Sequence, residues 1–171
     1  MLKLKSIKLL VFSITIIIFN NNVKAQTKQA DKETAAWRYE IECIGIGQPG
    51  TKIIKVWSYS KKANIAINQA KKNAVHGIIF KGYTGSSNGC STQKPLANDP
   101  SIEHQKYDFF EPFFADGGKY MKFVTMSGDA TPEPIKVGKE YKVGIIVTVM
   151  SDLLRKDLES AGIIKSLNSG F

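Results

Sequence analysis

Trp37-Arg38-Tyr39-Glu40-Ile41-Glu42-Cys43 alternates large apolar and charged side chains without a break. Successive side chains of an extended chain point to opposite faces. This period of two therefore predicts a strand with Trp37, Tyr39, Ile41 and Cys43 on a buried face and the charged residues in water. Gly45 to Gly50 makes a turn and Lys52 to Ser58 a second strand, so the two should pair as a hairpin. From Lys61 the period becomes helical: Ala63, Ala66 or Ile67, Ala70 and Ala74 recur on one side, with Lys62, Asn64, Asn68 and Lys72 opposite. An alanine-lined inner face lets such a helix lie close to a sheet. Gly77-Ile78-Ile79-Phe80 reads as a short buried strand, completing a strand–helix–strand unit. If its strands are parallel, the crossover is right-handed.

Downstream, Tyr83 to Ser101 is rich in Gly, Ser, Asn and Pro and is the longest irregular stretch. Long loops in a small domain are often functional. Ser101 to Ala115 predicts a helix with Tyr107, Phe110 and Phe114 on one face, kinked or shortened by Pro112 and ended by Asp116-Gly117-Gly118. Tyr120 to Met126 reads as a strand and Glu140 to Met150 as the longest and most apolar one, separated by a Gly/Pro-rich turn. Ser151 is placed to cap a last helix, Asp152 to Ser160, with Gly162 at its C-terminal stop. The expected class is α+β: a mostly antiparallel sheet of about five strands with helices packed on one face.

Three zones mark the first 25 residues: Lys3, Lys5 and Lys8, an apolar run from Leu9 to Phe19, and Val23-Lys24-Ala25. The apolar run is shorter than the roughly 20 residues that a bilayer span needs. A basic start, a short core and a small-residue site are the pattern of a cleaved signal peptide, here cut near Ala25. The reading is therefore a signal over 1–25, a flexible lead-in over 26–35 and a single α+β domain over 36–171. It places the chain in the periplasm or the exterior, without a membrane span. Loss of four lysines with the signal lowers the net charge from +9 to +5. The remaining lysines are scattered in pairs and read as solvated faces rather than a nucleic-acid stripe. Cys43 and Cys90, the two cysteines, are candidates for one disulfide in an oxidising compartment. Two free thiols, with Cys43 as a small core residue, are the other reading.

Several motifs invite a chemical interpretation. Gly45-Ile46-Gly47-Gln48-Pro49-Gly50 matches the dinucleotide fingerprint, but that chemistry needs a helix after the glycines, and a strand follows here. It reads as a hairpin turn. Gly85-Ser86-Ser87-Asn88-Gly89 matches a nucleophile elbow, with Asp99 and His104 following in hydrolase order, yet Cys90 to Pro100 is turn-rich where a helix is required. His104, Asp108 and Glu111 fall at i, i+4 and i+7, a spacing that could hold zinc on a helix, although no second histidine stands near. That face reads as solvated, so neither metal nor cofactor is expected. Ser87, His104 and Asp108 are kept as the residues of an alternative enzymatic reading.

Lys55-Val56-Trp57-Ser58-Tyr59-Ser60 through Ala74-Val75-His76-Gly77-Ile78-Ile79-Phe80-Lys81-Gly82 resembles uncharacterised exported envelope proteins of Gram-negative bacteria. Its strand–helix–strand order also resembles the N-terminal domain of flagellar assembly protein T and small outer-membrane lipoproteins. The resemblance covers about 30 of the 146 residues after the signal. It implies a non-catalytic module in an envelope assembly, although this chain lacks the lipid-acceptor Cys of the lipoproteins. The expected function is accordingly a non-enzymatic exported accessory protein that binds an envelope protein or polymer. Its contact surface is expected at the Tyr83–Ser101 loop, including Tyr83 and Asn88, and at Tyr107, Phe110 and Phe114. The alternatives are a small periplasmic hydrolase or metal-dependent enzyme, and a protein that self-associates through the edge strand Trp37 to Cys43.

Overall fold

In the computed structural model, which describes residues 37–85, 89–128 and 133–166, the opening alternation forms β1 (Tyr39–Ile46) and its neighbour forms β2 (Lys52–Ser60). The signal and lead-in readings over 1–35, together with Ser87 and Asn88, lie outside these described residues. A long helix, α1 (Ala63–Phe80), follows. Next come α2 (Ile102–Gln105), α3 (Tyr107–Phe114) and a 3-10 turn over Lys119–Phe123. The chain continues through β3 (Val124–Met126), β4 (Ile135–Val137) and β5 (Glu140–Val149) to α4 (Ser151–Ser160).

The five strands form one antiparallel sheet in the order β1-β2-β5-β3, with β4 pairing the opposite end of β5 from β3. Tyr39 and Cys43 of β1, Ile54 and Val56 of β2, and Val143, Ile145, Val147 and Val149 of β5 are buried on one face. Against them α1 lays Ala66, Ala70 and Ala74, all fully buried, so its small side chains permit the close helix–sheet approach. One polar pair crosses this interface: the Asn73 amide donates to the Ser58 hydroxyl at 2.8 Å, so the buried hydroxyl has a partner. The other sheet face carries Glu40, Glu42, Lys55 and Lys142. Lys142 Nζ lies 2.7 Å from Glu40, and Trp57 Nε1 donates to Glu42 at 2.9 Å. No helix among the described residues is long and apolar enough to cross a membrane.

Several local expectations need correction. Gly77-Ile78-Ile79-Phe80 is the last turn of α1 and not a strand, so among the described residues there is no strand–helix–strand unit and no parallel crossover. Val75, Ile78 and Ile79 are fully buried, and a run of so few apolar residues has the same pattern in a buried helix as in a strand. The true stop is Gly82, whose φ of +65° suits glycine and whose N–H closes back on Gly77 O at 2.8 Å. The helix expected over Ser101 to Ala115 is two helices, and it breaks at Lys106 rather than at Pro112, which sits inside α3. Tyr120 to Phe123 forms a 3-10 turn, leaving only Val124–Met126 as strand. The short strand β4, exposed throughout, lies in what reads as a turn. Ser151 is the first residue of α4, not its cap. Its hydroxyl donates to Gly50 O at 3.0 Å, as does the Asp152 N–H at 3.1 Å, so α4 is tied to the β1–β2 turn.

Cys43 and Cys90 form a disulfide, which fastens β1 to the loop beyond α1. That loop is also held by backbone bonds. The Leu96 and Ala97 N–H groups donate to the Ile78 and Ile79 carbonyls at 3.1 and 2.9 Å, partners for acceptors that a helix C-terminus leaves open. At the far end of α3, Gly118 sits where a Cβ would lie 2.4, 2.7 and 2.8 Å from the carbonyl oxygens of Phe113, Ala115 and Pro112. These are backbone atoms with no room to turn aside. Gly118→Ala is therefore expected to cost about 2 kcal/mol of stability by forcing the turn apart, measurable by denaturant unfolding.

A candidate binding cleft

The loop so anchored carries α2 and α3 against α1, and between them lies a cleft of about 720 Å³. Lys72, His76 and Phe80 recur at i, i+4 and i+8 along α1 and so share a helix stripe. Lys72 lines the cleft directly. Tyr107, Phe110 and Phe114 of α3 form the facing wall, with Glu111 beside them; Glu103 and His104 come from α2. Trp37, immediately ahead of β1, closes one side.

The rings are packed edge and face. Trp37 stacks on the His76 imidazole with centroids 3.5 Å apart and planes 19° from parallel, and it meets Phe114 edge-on at 5.1 Å. Phe110 packs edge-on against Phe80 at 5.1 Å and lies parallel to Phe114 at 6.1 Å. Such arrangements follow the ring quadrupoles. Phe110 and Phe114 are buried, while Tyr107 is 55% exposed, so the wall runs from core to solvent.

Beneath Trp37 lies a polar chain. The Tyr39 hydroxyl is 2.5 Å from His76 Nδ1, and His76 Nε2 is 3.2 Å from both oxygens of Glu103. The bonding fixes the tautomer: Nε2 carries the proton and donates to the carboxylate, while Nδ1 accepts from the phenol. His76 is 3% exposed. Burial holds its pKa below the usual imidazole value, reinforced by the nearby Lys81 charge and opposed by the hydrogen bond and charge of Glu103. Burial first, then the Glu103 charge, drives the Tyr39 phenol upward. Lys81 Nζ sits 3.7 Å over the Tyr39 ring and donates to Trp37 O at 3.1 Å; burial lowers its pKa. Lys72 is 4% exposed, with its ammonium 5.8 Å from the Tyr120 ring. Burial lowers its pKa, and the charge of Asp116 works against that.

The residues expected to bind are thus partly brought together. Tyr107, Phe110 and Phe114 share the cleft wall, whereas Tyr83 lies elsewhere, buried and exchanging backbone hydrogen bonds with Gln93 at 2.9 Å each. His104 reaches the cleft and Asp108 is exposed on α3, but the break at Lys106 removes the continuous helix that their i, i+4 spacing presumes. Among the described residues no group of three or more His, Cys, Asp or Glu side chains could hold a metal ion. His76, distant in sequence from the α2 segment, lies within α1 and meets Glu103. Trp37, Tyr39, Lys72, His76 and Glu103 go unselected in the sequence. The one legible signal is the i, i+4, i+8 recurrence of Lys72, His76 and Phe80 along the helix.

Compared with protein-family models, curated proteins and solved structures, the chain matches none.

Proposed function

We propose that this chain is a non-enzymatic accessory protein, exported to the periplasm or beyond, that binds a partner in the cell envelope through the cleft between α1 and α3. The observation that carries the reading is the cleft itself. About 720 Å³ of concave space bordered by Trp37, Tyr107, Phe110 and Phe114 has the size and aromatic lining of a recognition site. Tyr and Trp dominate binding energy where they can be desolvated by a partner. The Tyr39–His76–Glu103 chain resembles a catalytic relay in its order of groups, but Tyr39 is 7% exposed and held in its neutral form by burial. A phenol so placed serves packing and not attack on a substrate.

The test is crosslinking of the exported protein to envelope fractions, wild type beside a Trp37→Ala/Tyr107→Ala variant. Loss of two aromatic contacts is expected to weaken capture of the crosslinked species at least tenfold. An identical crosslinking pattern from the variant, or an enzymatic activity abolished by Ser87→Ala or His104→Ala, would overturn the reading.

A further inference from the structure

Charge is distributed unevenly in this protein. Across the chain lysine and arginine outnumber acids, 24 to 15, yet residues 99–116 hold Asp99, Glu103, Asp108, Glu111 and Asp116 against the single Lys106. This acidic segment is the one that folds into α2 and α3 and borders the aromatic cleft. Two of its carboxylates, Glu103 and Glu111, line the cleft. Glu103 is hydrogen-bonded to the His76 imidazole, a neutral donor, so that bond leaves its negative charge uncancelled, and Glu111 lies exposed one turn after Tyr107. The cleft also contains one cation, Lys72, but that side chain is withdrawn from solvent, near the Tyr120 ring and Asp116. Trp37 is stacked on His76 and meets Phe114 edge-on, and the part of this half-buried ring left open lines the cleft.

Aromatic faces attract cations through their quadrupoles, and carboxylates beside them complete the complement. Resting on the binding role argued above, we infer that the cleft receives a polypeptide segment of the envelope partner in which a lysine or arginine is flanked by apolar residues. The cation lies against Trp37 and Tyr107, facing Glu103 and Glu111, and the flanking residues fill the space beside Phe110 and Phe114. The cleft volume exceeds what one amine head needs, which favours a segment over an isolated ammonium group.

Capped pentapeptides of leucine with a central lysine, norleucine or glutamate test this, titrated by NMR into the exported protein. The lysine peptide is expected to bind saturably, at least tenfold tighter than the norleucine one, and to weaken as salt is raised. Glu111→Lys, an exposed substitution whose fold is checked from its spectrum, is expected to abolish that preference. A glutamate peptide binding as well as the lysine one, or a lysine preference unchanged by Glu111→Lys, would overturn the inference. If envelope crosslinking still depends on Trp37 and Tyr107 but not on Glu111, the cleft is the binding site and only its preference for a cation is wrong.

Discussion

With both Cys43 and Cys90 replaced by serine, the folded chain is expected to lose about 4 kcal/mol of stability. The bridge joins residues 47 apart, and the chain-entropy cost of closing a loop that long in the unfolded state sets the figure. Between the two cysteines lie β2 and α1, one strand of the central β2–β5 pair and its covering helix, so the crosslink restrains a part of the chain that builds the core. A domain of this size is stable by roughly 5–15 kcal/mol, so the loss is a large share of the whole. Both cysteines are nearly buried, at 7% and 9% exposure. Paired serines would set two hydroxyls in that space, adding to the entropic loss. The measurement is urea unfolding of wild type, the double variant and reduced wild type. Both unbridged proteins should unfold at lower urea than wild type, the serine variant lowest, and show a steeper dependence on urea, because an uncrosslinked unfolded chain exposes more surface. A loss below about 1 kcal/mol would mean that the bridge does not restrain the unfolded chain as argued.

Much of this architecture is legible in the sequence because one face of each major strand is buried and the other wet. The alternation from Trp37 to Cys43 and the apolar run of β5 place both strands and give the antiparallel class. The segments that mislead share a physical cause. Gly77 to Ile79 are buried and Phe80 half-buried, so periodicity is erased, and only the glycine at 82 marks where the helix ends. The break at Lys106 separates α2 and α3 without proline or glycine, so no residue type announces it.

The same division governs the cleft. Tyr107, Phe110 and Phe114 stand on one helix face and can be found by counting. Trp37, His76 and Glu103 lie 39 and 27 positions apart along the chain and meet only once the sheet, α1 and α2 have packed. A lone histidine on the buried side of a helix carries no information about which carboxylate will reach it. The Tyr39–His76–Glu103 chain therefore belongs to tertiary structure, and its energetic weight has to be measured there.

His76→Ala is expected to destabilise the protein by about 3 kcal/mol, from two causes that add. The first is the cavity left where the imidazole packs between Trp37 and Phe80, with ring centroids 3.5 and 4.7 Å away. The second is the loss of the Nδ1 acceptor for the Tyr39 hydroxyl, which is itself buried and has been bonded at 2.5 Å. Glu103→Ala should cost less, about 1 kcal/mol, because the carboxylate it removes is partly in water and leaves no core cavity, only the His76 Nε2–H without its acceptor. The two changes should be less than additive, since each breaks the same Nε2 bond. The chain also predicts a pH dependence of definite sign. Burial lowers the folded pKa of His76 below its unfolded value near 6.5, so the folded state holds fewer protons than the unfolded one in that range. Its contribution to stability is complete above pH about 6.5 and is lost as pH falls through the folded pKa. Unfolding free energies from pH 8 to pH 5 should accordingly decline on the acid side. That decline should be reduced in His76→Phe, which keeps an aromatic ring without the proton site, and retained in His104→Gln, which alters the exposed second histidine. Stability that rises on acidification, or an acid-side decline as steep in His76→Phe as in wild type, would show that the imidazole is not held neutral by burial between Tyr39 and Glu103.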